Sequence, residues 1–413
     1  MPTETQLRTY AKLLVETGCK LKAGQKILIT GSVTVAPFIR LVVEAAWNAG
    51  AADVVVNWND QVTNRLRYLN APEDSFDTTP VWQQALLNTT AQEGYAYLGV
   101  GGDDPTGMAG VDPRRMAASS KATRRDCAPY VNGRMGGKNV WCGAAADTPG
   151  WAKKVFPDLP GEEAVEKLWQ AILSAARADG PDPAKAWADH YDAIRRRATL
   201  LEERQFDALH YTSGLGTDFT VGLNPDHRWG GGGSITQDGV QFFPNMPTEE
   251  TFTSPDRERA DGIVYSSLPL NYQGGLIRNF WIRFEGGVAV EWGAEEGLDR
   301  LESILTLDEG SRRLGECALV PYSSPISQSG ILFYSTLFDE NAACHLALGR
   351  SYPETLPGAQ SMSEEELLAH HMNVSAAHVD FMIGTADMDI TGITKEGEEV
   401  PIFRAGEWAG EFA

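Results

Sequence analysis

Between Lys26 and Trp58 the chain runs apolar stretch, helical stripe, apolar stretch, an order that few folds accommodate. Lys26 to Thr30 reads as a short buried strand and Gly31-Ser32 as a turn. Val35, Phe38, Ile39, Val42, Val43 and Ala46 then recur at the spacing of one helical face, which Gly50 ends. Asp53 to Trp58 is the next apolar run, so a strand, a crossover helix and a second strand predict parallel pairing with a right-handed connection. Tyr95 to Leu98 and Asn139 to Cys142 extend the strand series.

A second apolar stripe, Val165, Leu168, Trp169, Ile172 and Ala176, is followed by the breaker Gly180-Pro181-Asp182-Pro183 and a helix through Tyr191, Ile194 and Leu201. The expected division follows that helix, with a mainly parallel α/β domain over residues 1–203 and a second domain over 204–413. A chain of 413 residues is too long for one core to serve comfortably. The second half reads as α+β. Asp207 to Thr212 and Ile277 to Glu285 are strand-like, and the latter turns through Gly286-Gly287 into Val288 to Trp292. Leu298, Leu301, Ile304 and Leu305 mark a helix, and Thr394 to Glu399 has hairpin turn chemistry. Gly230 to Gly233, after Trp229, reads as a flexible loop.

The 35 basic and 56 acidic residues give a net charge of −21, which repels nucleic acid and anionic lipid, so neither partner is expected. Five scattered cysteines without a Cys-x-x-Cys pair indicate neither a disulfide framework nor a zinc knuckle, and a reducing cytoplasm is the expected location. Met1-Pro2-Thr3-Glu4-Thr5 has neither a basic nor an apolar leader region, so no export signal is expected, and no membrane span is predicted. Gly99-Val100-Gly101-Gly102 follows a strand, yet the third glycine of a dinucleotide fingerprint is Asp104 here. Neither His-Glu-x-x-His nor Gly-x-Ser-x-Gly occurs.

The chemistry concentrates in the last third, where Glu316, Glu340, His345, His378 and Asp380 fall close together in sequence. Carboxylates and imidazoles hold hard or borderline divalent ions while leaving a position for water. On a strand, His378 and Asp380 share one face, although a surface His–Asp pair reads the same way. Asp339 to His345 resembles a helix start with Asp339 as cap, which brings Glu340 and His345 to one ion only with bending. Glu316 is a lone carboxylate in the apolar run Leu314 to Val320, and a buried, unpaired charge is costly without a cation. Asn245 to Thr253 places Glu249 and Glu250 after a proline, so one is free to aim inward while the other stays outside.

Four segments together resemble the aminopeptidase T group, the thermophilic dinuclear metallo-aminopeptidases. They are Asn245 to Thr253, Leu314 to Val320, Asp339 to Gly349 and His378 to Thr385. The resemblance implies metal ligands at Glu250, Glu316, His345, His378 and Asp380, with Glu316 bridging and also catalytic. It implies Glu340 as a further ligand or a support, and Tyr352 as a catalytic tyrosine. It further implies two divalent ions, short peptides with a free N-terminus as substrates, and a homodimer. An oxygen-rich set with two imidazoles suits zinc, cobalt or manganese alike. The general base stays open among Glu249, Glu316 and Glu340. A non-catalytic metal- or peptide-binding protein, in which the ions brace the domain, is the alternative.

Overall fold

The computed structural model describes residues Met1–Ala413. Two compact units divide the chain, Met1–Asp189 with Gly233–Pro247, and His190–Gly232 with Thr248–Ala413.

In the first unit a four-stranded sheet runs in the order Asp53–Asn59, Lys26–Ser32, Ala96–Gly101, Trp141–Ala145. All three pairings are parallel, as strands joined by crossover helices require. Ile27, Leu28 and Ile29 are buried, and the helix Ala36–Asn48 buries Phe38, Ile39, Val42 and Ala46, the stripe read from its spacing. Gly31 and Ser32, expected in a turn, instead continue the strand and pair with Trp58 and Asn59. Parallel pairing to the strand Asp53–Asn59 holds them extended. No helix is long and apolar enough to cross a membrane.

The division differs from the one expected at 203/204. The helix Pro183–Arg204 crosses it, because Ala198 and Leu201 join the core of the second unit. Gly233–Pro247 returns to the first unit, where the Phe243 ring meets Trp187 at 5.1 Å and the Met246 amide donates to the Gly143 carbonyl.

The second unit mixes helices with two large antiparallel sheets and a two-stranded one. The larger has eight strands in the order Val288–Gly293, Trp281–Glu285, Pro255–Tyr265, Asp218–Leu223, Ala208–Thr212, Asp389–Ile393, Glu399–Arg404, Glu407–Trp408. The smaller has five, in the order His378–Met382, His345–Gly349, Leu314–Leu319, Thr251–Thr253, Gly230–Gly231. Strand alternation gives the smaller sheet two unlike faces. Cys317, Leu319, Leu346, Leu348 and Phe381 enter a core shared with Leu209, Tyr211, Phe219, Ile282 and Phe284. The residues between them, Glu316, His345, Ala347, His378 and Asp380, are left for the other face.

Two further expectations change. Ile277 to Glu285 is not one strand: Gly275–Ile277 pairs with Leu270–Tyr272, and Trp281–Glu285 begins after Asn279, whose φ of 47° turns the chain. The glycine run is not simply a loop, since Gly230–Gly231 forms the edge strand beside Thr251–Thr253. At Gly231, with φ 134°, a Cβ would fall 2.4 Å from the Glu250 carbonyl oxygen, so only glycine lets this strand approach so closely.

Candidate metal centre

Glu316 lies at the middle of Leu314–Leu319, six consecutive buried residues, and is itself 3% exposed. Its neighbour in the sheet is the His345 strand, and beyond that lies the His378 strand, so two ladders place four of the candidate ligands. His378 and Asp380 share one face as the period of two requires. Nε2 of His378 stands 3.1 Å from Glu316 Oε2 and 3.3 Å from Asp380 Oδ1, and Nε2 of His345 stands 3.4 Å from Glu250 Oε2.

Two donor groups emerge, Glu250 with Glu316 and His345, and Glu316 with His378 and Asp380. Within each, the donor atoms lie no more than 4.8 Å apart. Glu316 belongs to both. Glu340, on the single turn Glu340–Ala342, lies outside these two groups but interacts electrostatically with Glu250, Glu316, His345 and Asp380. The helix start expected at Asp339 is absent. A short helix, Thr336–Asp339, ends there, Asp339 accepts from the amides of Phe333 and Ser335, and His345 opens a strand. The stretch His345 to Leu348 has strand neighbours on both sides, and that pairing outweighs the local capping signal.

Glu249 is buried but turned elsewhere, with Oε2 3.6 Å from His190 Nε2. Consecutive residues of an extended chain point to opposite sides, so Glu250 faces the centre and Glu249 does not. The Tyr352 ring packs 4.6 Å from the His378 ring and 5.6 Å from Phe252.

The electrostatics are those of carboxylates crowded together out of water. Burial, offset in part by His378, lifts Glu316 to about 7, and burial with the neighbouring carboxylates pushes Glu340 well above its ordinary range. Burial opposes charge on His345, yet the bond to Glu250 and the surrounding carboxylates raise it to about 10. Burial likewise opposes charge on His378, and Asp380 and Glu316 overcome it. Asp380 is pushed up by burial but drawn lower overall by His378. Burial and the carboxylates keep the Tyr352 phenol protonated far above its usual range.

The donor set fits divalent ions. Nδ1 of His378 lies 2.7 Å from the Arg350 carbonyl oxygen and Nδ1 of His345 lies 3.1 Å from that of Ala343. A carbonyl only accepts, so each Nδ1 carries the hydrogen and each Nε2 is the free donor atom turned onto carboxylates. Nε2 of His378 is buried and has no well-aligned hydrogen-bond partner. Oxygen donors with two imidazoles suit zinc, cobalt and manganese. The sequence carries no signal for the two orienting carbonyls, because backbone groups leave no mark in residue type.

The match to known proteins is nearly complete in length. The family model described as Thermophilic metalloprotease (M29) matches residues 3–408. Aminopeptidase 2 of Geobacillus stearothermophilus is 42% identical over 410 residues, 99% of this chain and 99% of that protein. Aminopeptidase AmpS of Bacillus subtilis (strain 168) is 44% identical over 404 residues, 98% of each. The structure of wild-type AmpT from Thermus thermophilus, 40% identical, superposes with a TM-score of 0.91 over 98% of this chain and 100% of that one. The chain therefore belongs to the thermophilic metalloprotease (M29) family.

Proposed function

We propose that this metal-dependent peptidase is an aminopeptidase that removes single N-terminal residues from short peptides, using water activated between two divalent ions. The peptidase activity rests on the family, and the relatives of 42–44% identity are aminopeptidases by name. The two-ion reading rests above all on Glu316, which belongs to both donor groups. Charge supports it too: Glu250, Glu316, Glu340 and Asp380 carry four negative charges when ionised, and two divalent ions carry four positive ones.

Ions bound there supply a water ionised near neutral pH and a Lewis acid for the scissile carbonyl. The residues do the rest. Backbone carbonyls fix both imidazoles, so neither ring has to reorient as substrate arrives. The free α-amine of a peptide N-terminus can hydrogen-bond to a carboxylate of this centre, which favours removal of one residue over internal cleavage. The protonated Tyr352 phenol is available to hydrogen-bond oxygen on the reacting carbonyl. Zinc, cobalt and manganese all suit the donors. The homodimer implied by the sequence resemblance and the cytoplasmic location expected from the scattered cysteines belong to the same proposal.

The test is hydrolysis of aminoacyl chromogenic substrates and short peptides after chelation and after add-back of zinc, cobalt or manganese, with bound metal counted. Activity lost on chelation and restored near two ions per chain is the expected result. Full occupancy without cleavage would indicate a metal- or peptide-binding protein instead.

A further inference from the structure

Four of the six candidate ligands are strand residues placed by ladder hydrogen bonds, whereas Glu250 and Glu340 are not. Glu250 directly precedes the strand Thr251–Thr253, and Glu340 begins a single turn. Ladders alone leave both free to wander. Asn341, 0% exposed, lies between them. Its Oδ1 accepts the Glu249 amide at 2.7 Å, and its Nδ2 donates to the Leu337 carbonyl at 3.1 Å and reaches Glu340 Oε1 at 3.4 Å. Its own carbonyl accepts from Ser324 Oγ at 2.9 Å.

The partners fix the orientation of this amide. An amide N–H only donates and a carbonyl only accepts, so a flipped side chain would lose both strong bonds. One buried side chain thus ties the residue before Glu250 to the turn that carries Glu340, across 92 positions of sequence.

We propose that Asn341 is the positioning residue for Glu250 and Glu340 and so sets the affinity of the ion held by Glu250, Glu316 and His345. The inference rests on the two-ion reading of the site. Because His378 and Asp380 are placed by ladder pairing to the His345 strand, and none of the Asn341 hydrogen bonds named above goes to their strand, its loss falls on one ion rather than both. An Asn341→Asp substitution keeps the volume and the acceptor for the Glu249 amide, but has no donor for the Leu337 carbonyl and sets a carboxylate against Glu340.

The test is titration of the metal-free full chain with Co²⁺, followed by visible absorption, for the wild type and N341D. Unfolding temperatures of the metal-free proteins are measured in parallel. The expected result is two binding classes in the wild type. In N341D one class is about 10- to 100-fold weaker. It is the same class that a His345→Asn variant loses, and the other class stays within about threefold of wild type. Both classes weakened alike, or neither weakened, overturns the assignment, as does a loss that merely follows a lowered unfolding temperature. If N341D does not fold, the smaller and uncharged N341S carries the same readout. A wild type that binds one ion defeats the two-ion reading itself, and the assignment with it.

Discussion

Glu316 Oε2 and His378 Nε2 stand 3.1 Å apart although a whole strand, His345–Gly349, lies between the strands that carry them. Directly between, Ala347 pairs with Glu316 on one side and with Asp380 on the other. A methyl group there lets longer side chains from both flanks lean together above it.

Replacing Ala347 by Leu should therefore remove metal binding without altering any ligand or charge. The side chain is fully buried, so added volume has nowhere to go but between the carboxylates. Retention of two ions per chain in A347L, counted by elemental analysis, would contradict this placement.

Glu316→Gln should weaken both ions, since Glu316 is common to both donor groups, and should lower kcat/KM by at least about 100-fold. Metal content and hydrolysis measured together decide it. A variant with full activity and full metal content would remove Glu316 from the site.

Tyr352→Phe should lower turnover by about 100-fold while metal content stays unchanged. The ring contacts with His378 and Phe252 survive in phenylalanine, so only the phenol O–H is lost. Metal loss in Y352F would make Tyr352 a ligand or the support of one.

Asp147, far along the chain from the candidate ligands and 6% exposed, should make stability depend on pH. Burial, only partly offset by the Thr148 amide, raises this carboxyl from 3.8 to about 8. Between those values the folded chain holds a proton that the unfolded chain has lost, so stability falls as pH rises through this window and levels off above it. Asp147→Asn should match the wild type near pH 4. By pH 8.5 it should melt at least about 3 °C higher, as read by thermal denaturation across pH. Parallel melting curves at all pH values would show that Asp147 is not the buried acid.

Most of the elements were legible in the chain. The first unit could be read because its apolar stripes are local: Phe38, Ile39, Val42 and Ala46 declare a helix whatever they pack against. Glu316 and the His378–Asp380 pair were legible for a similar reason, a polar residue in an apolar run being hard to explain without a partner. The stretch around Asp339 misled, since capping chemistry is a weak local preference and strand pairing on both sides of His345–Gly349 outweighs it. The helix 183–204 misled at the division between units, because continuous helical periodicity does not say which core each turn joins.

By itself the sequence determined which side chains were available as ligands and which strands alternate between an apolar and a polar face, because residue type and a period of two are properties of a single segment. Folding alone settled which of two adjacent glutamates faces the centre, which nitrogen of each histidine is free, and that Asn341 bonds to both segments that carry Glu250 and Glu340. Each of those depends on a backbone carbonyl or amide brought in from elsewhere in the chain. Such groups are identical in almost every residue, and only folding gives them an address.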